Sequence, residues 1–575
     1  MKSLTKPVNA LLCLLCLTFS ATALAQQPQK VMPRVTIVHP GYTQMRQDLL
    51  DLFNLTSPKE KKYWGDLNGI LQQFEQGIAK DKPVRTDVIV ERSGFPMIVS
   101  VPVSDLKAFR ENLNVLGIDS KRARRDKTLY VLGGKVYAGF MRSNGGYGSI
   151  GPTKNDVALG VLGQPDAAIT DLLRRKFSMG AEIVNVALDA PSQATRRQKF
   201  QKPKKDLLSA LKKMPAESRA AFEVRKLAVR HQLDEVERLL SETERLTFGA
   251  RLKSKATAAT LILDLKPIAG TGLARDLAAF GAQASMFGAI KRGGDAVLSL
   301  RINHPLSDLR KKAMTEFFTT ALPDAIGRIN DSQLSATDKS NSAEFAKLLS
   351  EQLKLGTDAG VLDAFVEVTP AAGGKYTSVS AIRVPEGTKT VELVTALSKS
   401  HSQNTLEASV AKYGEVDIHR LTVHTKYRAE FGQFFGDTHI IYVGTGGGAL
   451  WSAVGPDAQA KLKAAIETVQ KEEAPAATPV VIDFYAHLRP WIGLHDSIEA
   501  KVPRSRDAKV RSVRQQGRDI RKKALAAMTA RDDVITIKIS RVDDRLEGVT
   551  EVGTGPLRLL GKLLAKFSKE QLGLD

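Results

Sequence analysis

Cysteine is almost absent from this chain: its 575 residues include two, Cys13 and Cys16, both near the amino terminus. We predict that residues 1–25 form a signal peptide, so that the mature chain has no thiol. Disulfides, thiolate metal sites and cysteine nucleophiles are then excluded. The stability of the mature protein must come from buried apolar cores, for which the chain is long enough.

Long apolar runs are also lacking after the first residues. Lys2 and Lys6 precede an apolar run at residues 10–19, and Ala23-Leu24-Ala25 then offers small residues at the positions that a signal peptidase accepts. The run is shorter than the roughly 18 apolar residues that cross a membrane, which disfavours an uncleaved anchor. Cys16 follows leucines rather than a small residue, which disfavours lipidation. We expect a periplasmic, cell-envelope or extracellular protein with no membrane span in the mature chain.

Recognisable catalytic motifs are lacking too. No G-x-S-x-G elbow, H-E-x-x-H helix or Walker loop occurs in the chain. Residues 444–449 fit G-x-G-x-x-A, but the sequence after them predicts a strand where a dinucleotide fold needs a helix, so we interpret them as a hairpin turn. Asp532-Asp533 is interpreted as a solvated turn. The histidines, among them His419 and His487, lack zinc-ligand spacing. We predict no cofactor and no metal site, and the sequence favours a protein that is not an enzyme.

Acidic residues are outnumbered by basic ones. The 84 Lys and Arg against 62 Asp and Glu give a formal net charge of +22, and removal of Lys2 and Lys6 gives 22 − 2 = +20. Such an excess attracts polyanions and anionic surfaces. The basic residues cluster in residues 196–213 and 501–523, where Phe200 is the one aromatic residue, so stacking on single-stranded bases is disfavoured. The alternative is two solvated helix faces.

We predict that these two basic segments bind an anionic polymer or an envelope surface. The candidate residues are Arg196, Arg197, Lys199, Lys202, Lys204, Lys205, Arg504, Arg506, Lys509, Arg511, Arg514, Arg518 and Arg521. Both segments follow a predicted strand that runs into a proline, so we expect them to occupy corresponding places in the two halves of the chain.

Repetition is what the chain has in abundance. In four places the sequence predicts a cassette of two strands, marked by period-two alternation of apolar residues, and a helix after them. Before each cassette we predict a further strand that ends at a proline, followed by a helical stretch. The predicted cassettes cover residues 84–113, 246–280, 362–400 and 534–567, and the strands before them cover residues 35–40, 183–191, 296–305 and 480–490.

These four units predict an α+β fold with antiparallel sheets covered by helices, since the strands have one apolar and one polar face. A three-stranded insert follows the first unit, in residues 114–177, and another follows the third, in residues 401–470. The order of elements in the first half thus returns in the second, which favours a tandem duplication. We predict a first half at residues 26–285 and a second at residues 286–575, with a Gly-rich linker at residues 281–295.

Several stretches within residues 84–300 match a known family. They are Val101-Pro102-Val103-Ser104-Asp105-Leu106, Asn185-Val186, Arg225-Lys226-Leu227, Leu246-Thr247-Phe248-Gly249 and Leu263-Asp264-Leu265-Lys266-Pro267. In these stretches the chain resembles secreted, repeat-built proteins of uncharacterised function from planctomycete bacteria. The resemblance implies export and architecture and supplies no catalytic residue. The chain departs from the family pattern in the basic residues 196–205.

Three functions are compatible with these observations. The leading prediction is a non-catalytic cell-envelope or periplasmic protein that binds an anionic polymer or surface through basic helices. The first alternative is a carrier that holds an apolar ligand in a cavity between sheet and helices. The second is a hydrolase whose site is assembled from carboxylates and histidines that lie far apart in the sequence.

Overall fold

The computed structural model describes residues 34–73, 75–89, 97–115, 117–134, 137–159, 172–184, 190–214, 217–253, 255, 257–385, 388–423, 428–436, 439–471, 477–500 and 508–572. The predicted signal peptide and the candidates Arg504 and Arg506 lie outside this part of the chain. It is 46% helical and 32% strand. The fold is therefore mixed α and β, as predicted.

The described elements follow one another in a regular order. Residues 34–279 contain β1 (Arg34–His39), α1 (Tyr42–Asn54), α2 (Pro58–Gln73), β2 (Val84–Ile89), β3 (Met97–Pro102), α3 (Leu106–Val115), β4 (Ile118–Arg122), β5 (Leu129–Gly134), β6 (Gly139–Asn144), β7 (Tyr147–Gly151), α4 (Lys154–Leu159), β8 (Met179–Val184), α5 (Ala190–Ala210), α6 (Arg219–Glu242), β9 (Thr243–Leu252), β10 (Ala258–Pro267) and α7 (Gly272–Ala279).

Residues 298–572 contain β11 (Leu298–Pro305), α8 (Asp308–Asp331), α9 (Ala336–Asp358), β12 (Val361–Ala371), β13 (Lys375–Arg383), α10 (Thr390–Lys399), β14 (Thr405–Tyr413), β15 (Val416–Thr422), α11 (Arg428–Phe435), β16 (Ile440–Gly446), β17 (Ala449–Val454), α12 (Ala458–Gln470), β18 (Val480–His487), α13 (Leu488–Ala500), α14 (Ala508–Ala527), β19 (Val534–Val542), β20 (Arg545–Gly553) and α15 (Thr554–Leu572). Two strands followed by a helix occur as β2-β3-α3, β9-β10-α7, β12-β13-α10 and β19-β20-α15.

The chain divides into two compact units that are not contiguous in sequence. The first comprises Met1–Pro203, Thr243–Lys266 and Glu551–Asp575, and the second comprises Lys204–Glu242 and Pro267–Thr550. The second unit therefore includes a helix from the first half of the sequence, α6, and the first unit includes the last helix of the chain, α15.

The first unit contains one antiparallel run of strands, in the order β4-β5-β6-β7-β3-β2-β1-β8-β9-β10. Helix α15 packs on α1 and α2, where Leu557 joins Leu52 in a buried apolar cluster. The helices approach closely at Gly561, because a Cβ atom there would lie 2.4 Å from the carbonyl oxygen of Leu52.

The second unit contains an antiparallel run in the order β14-β15-β16-β17-β13-β12-β11-β18-β19-β20. Its largest core cluster is built around Trp451 and Phe365 from the strands and Phe287 from the linker. Helix α12 covers them with Leu462 and Ile466, which share one helix face because they are four residues apart. All three ring pairs among the aromatic residues are tilted or edge-to-face, an arrangement that aromatic rings favour.

Each strand-rich insert has four strands, where three were predicted. The strands that the prediction missed, β4 and β14, each pair with one neighbour among the described residues. Because an edge strand need not bury one side, it can lack the alternation that marks a half-buried strand. In β14 no residue is buried, and a bulge between Glu407 and Ala411 shifts its register.

The helical stretches between strands contain more helices than predicted. Each strand that ends near a proline is followed by a pair of helices rather than one, as in β8-α5-α6-β9 and β18-α13-α14-β19. The predicted strand at residues 183–191 ends at Val184, and Pro191 lies in the first turn of α5. Pro490 likewise lies in the first turn of α13, where a proline needs no hydrogen-bond donor.

Candidate functional site

Helix α14 of the second unit carries the densest row of basic side chains. Arg511, Arg514, Arg518 and Lys522 follow one another at spacings of three, four and four residues, so they lie on one face of the helix. At a rise of 1.5 Å per residue the row is about 16 Å long. Arg511 and Lys522 are exposed, and the other two are partly exposed. The face is therefore an elongated, positively charged surface.

Arg521 of α14 has a different role from the one predicted. Its Nε donates to Asp496 Oδ1 over 3.2 Å, and its Nη2 forms an ion pair with Glu499. Both acids belong to α13, so Arg521 ties the two helices together. The side chain of Arg518 also has a neighbour on its own helix, since its Nη2 donates to Gln515 Oε1 over 2.7 Å. Of the candidates on α14, Arg511, Arg514 and Arg518 form the surface row.

The basic residues of α5 are less uniform than those of α14. Lys204 forms ion pairs with Asp234 and with Glu237, 2.9 Å away, both on α6. Burial would lower the pKa of Lys204, but the hydrogen bonds to these two carboxylates outweigh it and raise the pKa. Arg196 is half-buried, and burial lowers its pKa to about 10. These two residues are therefore partly structural.

The other candidates on α5 are exposed, whereas some candidates of the second segment lie outside the described part of the chain. Exposed side chains on α5 belong to Arg197, Lys199, Lys202 and Lys205. Lys509 lies in the first turn of α14, but its side chain is outside the described part of the chain, as are Arg504 and Arg506.

The two basic segments do not occupy corresponding helices, contrary to the prediction. The first falls on α5, the earlier helix of its pair, whereas the second falls largely on α14, the later helix of its pair. The counterpart of α14 by order is α6, which has five basic residues, Arg219, Arg225, Lys226, Arg230 and Arg238, and five acidic ones, Glu223, Asp234, Glu235, Glu237 and Glu242. Within the described residues, the dense basic face of α14 therefore belongs to the second half of the sequence and has no counterpart on α6.

The second unit also contains two neighbouring cavities. The larger has a volume of about 690 Å³ and is lined by the linker, the end of α9, the ends of β12 and β13, and the turn between β16 and β17. The smaller, of about 330 Å³, is lined by Trp451 of β17, Ile466 and Val469 of α12 and residues around Val416 of β15. Met286 and Gly447 line both cavities, so the two adjoin.

Two of the Gly-rich residues 444–449 line these cavities: Gly447 lines both, and Gly448 lines the larger one. As predicted, they belong to a hairpin: Gly446 pairs with Ala449, and Gly447 and Gly448 form the turn. Both turn residues have positive φ, 58° and 73°, which is the type I′ geometry that favours glycine. The turn is fastened to β13, because Val384 N donates to Gly448 O over 2.9 Å.

The linker is fixed to the sheet by a buried carboxylate. Asp363 of β12 is 1% exposed, and it accepts hydrogen bonds from Ser285 Oγ over 2.7 Å and from Met286 N over 2.6 Å. Burial raises the pKa of Asp363, partly offset by these two bonds and by the charge of Arg383. Asp363 thus holds Met286 in place between the two cavities.

A buried network on β18 was not predicted. His487 Nδ1 lies 2.6 Å from Asp533 Oδ1, and His487 Nε2 lies 2.9 Å from the hydroxyl of Tyr485. Asp533 is fully buried and also accepts from Arg489 N over 2.8 Å, so it is not the solvated turn residue that was expected. Arg292 lies 4.1 Å from the centre of the Tyr485 ring. This arrangement orients the imidazole, but none of its residues lines either cavity.

His419 is a structural residue. It is buried on β15, where Ser409 N donates to its Nδ1 over 3.3 Å and its Nε2 lies 2.9 Å from Thr445 Oγ1. Because Nδ1 accepts a hydrogen bond, the neutral ring carries its proton on Nε2 and donates it to Thr445. Burial lowers the pKa of His419.

Within the described residues, no group of three or more histidines, cysteines or carboxylates is arranged to hold a metal ion. In the same part of the chain, no helix has both the length and the apolar character that would let it cross a membrane. Comparison with known proteins gives no match, either to a family model, to a curated protein or to a solved structure.

Proposed function

We propose that this chain is an exported, non-catalytic protein that binds an anionic polymer through α14. The observation that carries the proposal is the row of Arg511, Arg514, Arg518 and Lys522 on one face of a single helix. The row belongs entirely to the second unit. The envelope location rests on the predicted signal peptide.

The chemistry of α14 favours recognition of charge rather than of bases. Asp519 is the one acidic residue in this helix, and it accepts from Gln515 Nε2 over 2.9 Å. The helix has no aromatic side chain on which a base could stack. Guanidinium groups bind phosphate, sulfate and carboxylate oxygens without needing a defined sequence. Binding should therefore depend on the charge density of the polymer and fall as salt is added.

We infer that the two halves of the chain arose by tandem duplication of a ten-stranded unit, itself built from two smaller related units. Support comes from the strand order, which is the same in the two units when each strand number is increased by ten. It also comes from a matching contact: Val103 N donates to Gly146 O over 2.7 Å, as Val384 N donates to Gly448 O over 2.9 Å. On this view the basic face of α14 was acquired by one copy.

The proposal is tested with residues 26–575 purified from the natural host. Binding to heparin and to a DNA duplex in low salt is the expected result, and it should weaken steeply as salt rises. Vesicles of anionic lipid serve as a separate arm, which distinguishes a polymer from a membrane surface. Undetectable binding to heparin and to DNA in low salt would exclude the proposed function.

A further inference from the structure

Among the described residues that line the larger cavity, Arg383 at the end of β13 is the one with a charged side chain. No hydrogen bond or ion pair involves its guanidinium group within the part of the chain that the structure describes. The acid that influences it, Asp363, already accepts two hydrogen bonds from the linker. A partly exposed guanidinium facing a cavity without a carboxylate partner is suited to bind an anion from outside the protein.

Apart from Gln283, the other side chains that line the cavity are small or apolar, although polar atoms contribute more of its exposed surface than apolar atoms do. Five of its residues are glycine or alanine: Ala284, Gly356, Ala359, Gly447 and Gly448. Because these residues have a methyl side chain or none, they leave the space open. A Cβ atom at Gly356, for example, would have no heavy atom within 4 Å. Val361, Val384 and Pro385 supply apolar surface, and the amide of Gln283 supplies further polarity. One charged side chain among small and apolar side chains suits a ligand with an apolar body and a single charged end.

The neighbouring cavity extends the apolar surface. Its wall includes Trp451, Ile466 and Val469, and Met286 stands at the border with the larger cavity. Methionine is unbranched and flexible, so its side chain can adapt to an apolar chain that passes along it. The volume of the larger cavity, about 690 Å³, lies within the range of roughly 300–1,000 Å³ that is usual for small-molecule sites.

We propose that this cavity binds an apolar monocarboxylic acid, with its carboxylate on Arg383 and its apolar body between the linker and the Gly447-Gly448 turn. A carboxylate fits the planar guanidinium by two parallel hydrogen bonds, and one cation balances one negative charge. A phosphate monoester carries nearly two negative charges at neutral pH, which a single arginine does not balance. This site is independent of the basic row on α14, so either proposal can fail alone.

The test measures binding of dodecanoic acid to the full chain by isothermal titration calorimetry, with dodecanol and dodecyl phosphate as comparison ligands. Dodecanoic acid should bind at least about tenfold more tightly than dodecanol, because the latter cannot form a charged hydrogen bond. Arg383→Gln should remove that preference, and Arg383→Lys should restore part of it. The matched control is Arg275→Gln, an exposed arginine of the same unit, which should change nothing.

A second variant blocks the space instead of the charge. Gly356→Phe places a ring in the cavity from within α9, where no backbone strain opposes it, and should abolish binding of all three ligands. Gly327→Phe on α8 is its control, since a Cβ atom there also has no heavy atom within 4 Å and the residue lines neither cavity. Unchanged binding of dodecanoic acid in Arg383→Gln or in Gly356→Phe would overturn the proposal, as would tighter binding of dodecyl phosphate. Heparin binding should be unaffected by both variants.

Discussion

Removing half of the basic row on α14 should halve its contribution to the salt dependence of polymer binding. The double variant Arg518→Gln and Lys522→Gln leaves Arg511 and Arg514 in place. Neither changed side chain is buried, and within the described part of the chain the substitutions remove one side-chain hydrogen bond, the exposed one from Arg518 to Gln515. The fold should therefore be unaffected, and any change in binding reports on the surface.

The size of the effect follows from counterion release. For duplex DNA the logarithm of the binding constant falls with the logarithm of salt concentration with a slope of about −0.9 per phosphate contacted. Four contacts contribute a slope of about −3.6, and two contribute about −1.8. Between 50 and 200 mM salt, four contacts thus account for a loss of about 150-fold in affinity and two for a loss of about 12-fold.

The assay is fluorescence anisotropy of a labelled DNA duplex, titrated with protein at several salt concentrations. The control is Lys312→Gln and Lys347→Gln, which removes the same net charge from exposed positions on α8 and α9 of the same unit. The α14 variant should lower the slope by about 1.8, and the control should leave it unchanged. Equal slopes in the α14 variant and the parent protein would refute the assignment. Equal reductions in both variants would show that net charge, and not the row, binds the polymer.

Three further predictions concern stability. Leu462→Ala removes a fully buried side chain from the largest core cluster and should lower the free energy of unfolding by about 2–5 kcal/mol in urea titrations; a loss below about 1 kcal/mol would contradict that packing. Gly561→Ala should lower the free energy of unfolding by about 1–3 kcal/mol, because the added methyl group overlaps the carbonyl of Leu52. Gly65→Ala on α2 meets no atom and should be neutral or stabilising, so a change of the same sign in both variants would be inconsistent with the close helix contact. Burial lowers the pKa of His419, so the contribution of this residue to stability is complete above the ordinary pKa of about 6.5 and is lost as pH falls through the lowered pKa. The variant His419→Gln should therefore lose less stability than the parent protein between pH 7 and pH 5. Identical profiles of stability against pH would argue against a buried neutral ring.

The strands that could be predicted from the sequence are those with one buried face. β17, for example, lies where a strand was predicted after the Gly-rich residues, and buried and partly exposed side chains alternate along it from Ala449 to Val454. β14 could not be found in this way, because its position at the edge of the sheet leaves both faces exposed.

The candidate sites differ in how visible they are in the sequence. Charge is counted directly, so the basic residues of α14 were identified before their spacing on one face was known. That Arg521 binds Asp496 could not be foreseen, because it depends on how α13 packs on α14. The cavity gives no local signal in the sequence, because four separate segments line it and the contact that positions Met286 joins residues 77 positions apart.

The exchange of segments between the units determines when the first unit can complete its folding during synthesis. Because α15 packs on α1 and α2, the cluster around Leu52 is not closed until Leu557 has been synthesised. A nascent chain that holds the whole of residues 34–300 still lacks one wall of its first unit. Folding of that unit must therefore wait for the end of translation, or begin as an open intermediate with exposed apolar helices. Such a delay would suit the proposed export, because an exported polypeptide has to remain unfolded until it has crossed a membrane.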